Sequence, residues 1–184
     1  QRSAQPNQPA RKDAARRAAA DSLRPLRKAT FRKADLFETD FSKAQVITMF
    51  LLPSINMKLR PKILDLKPGT RVVSNTFDMG EWKPDETAKV SGCESWCTAH
   101  LWIVPAKVGG RWKLPEGELV LTQTFQNVAG TLGANRAEGT LRGDQITFVA
   151  GGARYTGEVN GNTVTGRMTN GSSTRAFTAT RVGS

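Results

Sequence analysis

Cys93, Cys97 and His100 are the side chains of this sequence best suited to bind a metal or attack a substrate, and their spacing argues against both. The run Cys93-Glu94-Ser95-Trp96-Cys97 offers two thiols four residues apart, with the only histidine three residues further on. A structural zinc site takes about four ligands, so this set is one short without a carboxylate, and no metal is expected. One histidine also leaves no credible Ser-His-Asp grouping for nucleophilic catalysis. A disulfide over so short a span needs a suitably bent loop. The reading adopted is two free buried thiols in a reducing, cytoplasmic setting. His100 alternates with Trp102, shares its face, and is read as a satisfied structural histidine rather than a base.

Charge points to a second class of partner. Of the net +11, residues 1–34 carry ten Lys/Arg against two Asp/Glu, or 10 − 2 = +8, and the remainder carries 17 − 14 = +3. No aromatic residue interleaves the basic segment before Phe31 to stack on bases, so a solvated helix face is favoured over specific nucleic-acid binding. No run approaches the roughly 18 apolar residues of a membrane span. The N-terminus is polar and basic, unlike a secretory signal, though a chain starting at Gln1 leaves an upstream segment open.

The elements that would position a site change character along the chain. Residues 1–9 read as a disordered polar tail, and Ala10 to Leu23 as an alanine-rich helix closed by Pro25. Ala29 to Leu36 reads as a strand, and Ala44 to Leu52 as a buried one. Pro53 and Ser54 open a helix with Ile55, Leu59, Ile63 and Leu66 on one stripe, and Pro61 is placed to bend it. Lys67-Pro68-Gly69 ends that helix before a strand over Thr70–Phe77. Strand, helix, strand is a βαβ unit. Residues 78–95 read as loop, Trp96–Ala106 as a strand with Trp96 and Trp102 in the core, and Arg111–Leu114 as the return of an antiparallel edge pair. After Pro115 the pattern becomes short alternating strands with Gly143-Asp144 and Gly161-Asn162 turns, an antiparallel sandwich or barrel. Phe148 and Tyr155 are expected in its interior.

With these elements in place, residues 29–112 resemble class I S-adenosylmethionine-dependent methyltransferases from their third strand onward. The stretch DLFETDFSKAQVITMFLLPSINMKLRPKILDLKPGTRVVSNTFDMGEW is similar to bacterial methyltransferase-domain proteins and to mitochondrial protein-lysine methyltransferases. Asp-Leu after the third strand, Leu-Leu-Pro after the fourth and Lys-Pro-Gly-Thr-Arg before the fifth fall in the family's order. The resemblance implies an α/β fold: a partial Rossmann-like sheet with an antiparallel edge pair over residues 10–114, followed by the all-β domain over 115–184. It implies that Asp35, Leu36 and Phe37 contact the adenine of S-adenosylmethionine, and that Leu51 and Leu52 wall the cofactor. Pro53, Asn56 and Trp82 would border the methyl acceptor. Simpler readings stand beside these: a turn aspartate, a strand end, a first-turn helix asparagine.

One departure from the family is plain. No glycine precedes Gly69, so neither the glycine turn against the methionine part nor the ribose-binding acidic residue can be placed. The expectation is therefore a methyltransferase seen as a fragment, inactive alone, with a protein lysine as acceptor and the exposed sheet as a dimerisation surface. The alternative is a non-catalytic binding protein using the β domain or the basic helix.

Overall fold

The computed structural model describes residues 29–183. The tail and alanine-rich helix read for residues 1–28 lie outside the described residues. The chain divides into two compact units, Gln1–Thr39 and Asp40–Ser184. In the described part of the first, residues 29–35 are irregular and exposed, and a turn at 36–38 is closed by the Thr39 N–H donating to the Asp35 carbonyl at 2.9 Å. The strand expected over Ala29–Leu36 does not form.

The second unit starts with a four-stranded mixed sheet. Its strands are β1 (Val46–Met49), β2 (Arg71–Asn75), β3 (Glu86–Lys89) and β4 (Thr98–Ile103), in the order β1-β2-β4-β3. β1 and β2 run parallel, with Val46 opposite Arg71 and Met49 opposite Ser74, joined through helix α1 (Pro53–Leu64). The helix runs on through Pro61 and turns Asn56, Leu59 and Ile63 onto the sheet. There Leu59 and Ile63 meet Met49, Val72, Trp82, Trp102 and Val104 in one apolar cluster. Fully burying a side chain such as Ile63 contributes about 1.5–3 kcal/mol. The remaining pairs, β2 with β4 and β4 with β3, are antiparallel.

Eight strands then close a barrel: β5 (Gly110–Leu114), β6 (Gly117–Thr124), β7 (Asn127–Leu132), β8 (Asn135–Arg142), β9 (Gln145–Ala150), β10 (Ala153–Asn160), β11 (Thr163–Asn170) and β12 (Ser173–Arg181). Each pairs with the next in sequence, and β12 returns to β5 with Thr180 opposite Lys113. Alternation aims one face of every strand inward. Phe148 and Tyr155 stack at 4.6 Å between ring centroids, and Phe177 stands edge-on to both.

This overturns the expected α/β class. Among the described residues there is one helix against twelve strands, and one strand pair is parallel. The molecule is mostly β, a small mixed sheet and a closed barrel in place of a Rossmann-like sheet. A further parallel strand would need another long crossover. Residues 76–97 instead supply a short strand and a tight loop, which bring β4 back antiparallel. Nor does the expected edge pair of residues 96–106 with 111–114 form, because β5 belongs to the barrel through β6 and β12.

Candidate functional site

Loops leaving the carboxyl ends of parallel strands diverge, which makes those ends the usual ligand-binding edge of an open sheet. Here that edge carries Phe50-Leu51-Leu52 after β1 and Thr76-Phe77-Asp78 after β2. Leu52 is the N-cap residue of α1 (φ −57°, ψ 150°) and Pro53 starts the helix. The Leu52 carbonyl accepts from the N–H groups of Ile55 and Asn56 at 2.9 and 3.1 Å. Leu51 is half-buried against the sheet core, while Leu52 and Pro53 are exposed.

Asn56 lies fully buried beneath this edge. Its Nδ2 donates to the Asp78 carbonyl at 3.0 Å and reaches the Phe77 carbonyl at 3.4 Å; Ser74 Oγ donates to the same Phe77 carbonyl at 2.7 Å. The Asn56 Oδ1 has no hydrogen-bond partner among the described residues. The segment it grips is unusual in its backbone: Thr76 has φ +65°, a region costly for a β-branched residue and met mostly at functional sites. The Phe77 N–H closes the turn on the Asn75 carbonyl at 2.7 Å, and the Thr76 N–H donates to Thr98 across the sheet at 2.6 Å.

Opposite stands the 93–97 loop. Cys93 and Cys97 are joined in a disulfide, which corrects the reading of two free thiols. The small ring holds Trp96 at φ +59° and lifts it out of β4. Trp96 is therefore 54% exposed rather than in the core, whereas Trp102 is buried as expected. Its ring lies 5.6 Å from Phe50 and 5.5 Å from Phe77, and those two lie 5.7 Å apart. No reading of the sequence singled out these three aromatics. They come from three separate segments, and only the sheet order brings them together.

The other expected site residues are placed elsewhere. Trp82 is fully buried, its ring 6.2 Å from Trp102 and 6.1 Å from Phe125 of the β6–β7 turn, so it packs where sheet meets barrel. Asp35, Leu36 and Phe37 belong to the first unit. There the Asp35 Oδ1 accepts the Phe37 N–H at 2.8 Å, and Leu36 and Phe37 present exposed apolar surface. His100 Nδ1 is hydrogen-bonded to Thr87 Oγ1 at 3.0 Å, a structural role. Among the described residues no group of three His, Cys, Asp or Glu could hold a metal, and no helix is long and apolar enough to cross a membrane.

Comparison with known proteins bears on this edge. Residues 7–86 match the model of the ANTKMT methyltransferase domain. Over those residues the chain is similar to class I S-adenosylmethionine-dependent methyltransferases. A protein-lysine N-methyltransferase of Saccharolobus islandicus (strain REY15A) is 44% identical over 78 residues, 42% of this chain and 48% of that protein. The chain thus spans about half the length of the curated relative it matches. The crystal structure of an RNA methyltransferase from Salinibacter ruber in complex with S-adenosyl-L-homocysteine is 44% identical. That match covers 53% of this chain and 60% of the other, with a TM-score of 0.41. The family match ends at Glu86, before the barrel begins, and takes in α1, β1, β2 and every expected site residue.

Proposed function

We propose that this chain takes part in S-adenosylmethionine-dependent methyl transfer to the side-chain amine of a protein lysine. The observation that carries the reading is the methyltransferase-domain match over residues 7–86; the 44% identity to a protein-lysine methyltransferase supports the acceptor class. The cofactor, when bound, supplies an electrophilic methyl group. The chain's own part is then alignment, since a direct displacement needs a positioned, unprotonated amine and no triad. On this reading Asp35 accepts the adenine amino group and Leu36 and Phe37 cover the ring. Leu51 and Leu52 wall the cofactor, and Pro53 with the buried Asn56 shapes the acceptor side.

The test is ultraviolet cross-linking of methyl-labelled S-adenosylmethionine, a readout that registers weak binding, followed by peptide mapping. Label is expected between residues 29 and 57 and should be lost in Asp35→Ala. In parallel, labelled methyl should enter a lysine-containing peptide and not its arginine counterpart. Label confined to the barrel, or absent at millimolar cofactor, would favour the rival reading of a non-catalytic binding protein.

A further inference from the structure

The end of the sheet opposite the carboxyl edge clusters basic side chains. Lys43 and Gln45 stand on the approach to β1, Lys67 follows α1, and Arg71 opens β2. With Ser42 and Thr70 they line a pocket of about 390 Å³. The four residues of β1 separate this end from Phe50, roughly 13 Å at 3.3 Å per residue, so it is distinct from the proposed methyl-transfer site. The floor of the pocket is tied by the backbone. The Arg71 N–H donates to the Gln45 carbonyl at 3.0 Å, the Gly69 N–H to that of Val104 at 2.9 Å, and Thr70 Oγ1 to that of Ala44 at 3.4 Å. Gly69 takes φ +87°, the left-handed turn that leads the chain from α1 into β2.

Charge decides what such a pocket can hold. Of the described residues that line it, three are cations and none is an acid. Among the described residues the acids pair with Lys107, Arg111, Arg136, Arg142 and Arg175, and none pairs with Lys43, Lys67 or Arg71. Asp40 lies close to Lys43 but turns its Oδ1 to the Ser42 N–H at 2.8 Å, and Asp144 and Glu158 border Lys67 in a neighbouring hollow. Like charges gathered without a counter-charge repel one another, and a shared anion removes that cost. An arginine offers a planar fork to two oxygens at once, while lysines act as point charges, a combination that suits phosphate. The N–H groups of Gly69, Thr70 and Arg71 are spent on backbone carbonyls, so side chains must make the contacts. No aromatic residue lines the pocket, so nothing there stacks on a base, and the recognised part is the phosphate group itself.

We propose that Lys43, Lys67 and Arg71 form a binding pocket for a terminal phosphate dianion, carried free or on a lipid head group. Arg71 supplies the fork, the two lysines the field, and the Gln45 amide a neutral donor. The assignment is independent of the methyl-transfer reading and uses none of its residues. No bond is made or broken there.

The probe is inorganic phosphate, titrated against the 184-residue chain at constant ionic strength while the backbone amide resonances of Gly69, Thr70 and Arg71 are followed. Saturable shifts are expected with millimolar phosphate and none with chloride. Arg71→Gln and Lys67→Gln should each weaken binding about tenfold, because hydrogen bonds to a charged partner are the strong ones. Lys113→Gln on the barrel removes the same net charge and should leave binding unchanged. The Trp112 indole, inside the barrel, reports that each variant is folded. Sedimentation with phosphatidylcholine vesicles containing phosphatidic acid separates the two sources. Sedimentation that inorganic phosphate competes away and Arg71→Gln abolishes assigns the lipid head group, and phosphate binding without sedimentation assigns the free anion. Shifts that never saturate, equal losses in Lys113→Gln and Arg71→Gln, or binding of single-stranded RNA in place of phosphate would overturn the assignment.

Discussion

The sheet and the barrel solve the same problem, how to end a β structure, in opposite ways. The barrel pairs every strand on both sides and has no free edge. The sheet leaves β1 at one border, with Val46 exposed along it and Phe50 and Leu52 exposed at its end. Their glycines differ accordingly. No glycine lies in β1 to β4, while β7, β8, β10 and β11 each carry one at a central inward-facing position: Gly130, Gly139, Gly157 and Gly166. A Cβ at Gly130 would fall 1.8 Å from the Val120 carbonyl oxygen, and one at Gly139 2.1 Å from that of Thr147. The barrel wall bends where the strands lack side chains, and closure depends on it. Closure leaves no free strand edge, whereas the open border leaves exposed strand ends.

The sharpest way to break the contrast is to fill one of those positions. Gly139→Val should cost about 3 kcal/mol, since backbone and the Phe148 Cβ at 2.5 Å stand where the side chain must go. Gly133→Ala, at φ +55° with open space around it, should cost only about 1 kcal/mol for the left-handed backbone. Urea midpoints read through Trp112 measure both. If the two variants matched, glycine would matter here for its turns and not for curvature.

Next in size is the junction between the two bodies. Gln123 accepts the Val108 N–H on Oε1 at 2.7 Å and donates through Nε2 to the carbonyls of Ala106 and Phe125 at 2.9 and 2.8 Å. Gln123→Leu keeps the bulk but orphans three partly buried backbone groups, an expected loss of about 2 kcal/mol. The sheet and barrel indoles, Trp102 and Trp112, should then melt at separate temperatures. Superimposed melts would mean that packing of Phe125 on Trp82 couples the bodies without the amide.

How much of this was legible in the sequence differs between the bodies for the same reason. The barrel's alternation and its Gly143-Asp144 and Gly161-Asn162 turns are local signals, and those turns join β8 to β9 and β10 to β11. Phe148 and Tyr155 are inside as their alternation implies. Closure was not legible, because Lys113 meets Thr180 67 positions further along the chain and nothing near Arg111–Leu114 says which sheet it joins. In the sheet, Pro53, the helix and the two parallel strands were local, and so were read, but the burial expected of Ala44–Leu52 is not met, since β1 buries Met49 and exposes Val46. The site was not: Phe50, Phe77 and Trp96 meet only through strand order. The cysteine spacing permitted a disulfide without requiring one, and a strand pattern running through Trp96 hid the ring that ends it.

A smaller effect separates contact from energy at the junction. Arg142 of β8 pairs with Glu86 of β3, and this contact raises the pKa of the arginine; both side chains are more than half exposed. Exposed pairs typically contribute 0–1 kcal/mol, so Arg142→Met should shift stability by about 0.5 kcal/mol and leave the coupling of the two melts intact. A loss comparable to that of Gln123→Leu would show the ion pair to be part of the joint.

The smallest expected effect concerns Asp85, which leads into β3. Its Oδ2 accepts the Ile103 N–H at 2.7 Å, yet burial raises its carboxyl above the ordinary 3.8; the Ile103 hydrogen bond and Arg142 oppose that rise, and Glu86 adds to it. A carboxyl whose folded pKa is raised contributes stability that is present below the unfolded pKa and fades as pH climbs through the folded one. Asp40 acts in the other sense, its pKa lowered by the Ser42 N–H, so total stability hides the term. Asp85→Asn isolates it, because the amide oxygen can still accept from Ile103 and carries no charge to desolvate. Relative to the parent protein, the variant should gain stability as pH rises from below 3.8 to neutrality. A difference curve that is flat, or that falls over that range, would mean that Arg142 and the Ile103 N–H outweigh burial, and that the sheet keeps Asp85 as a stabilising anion.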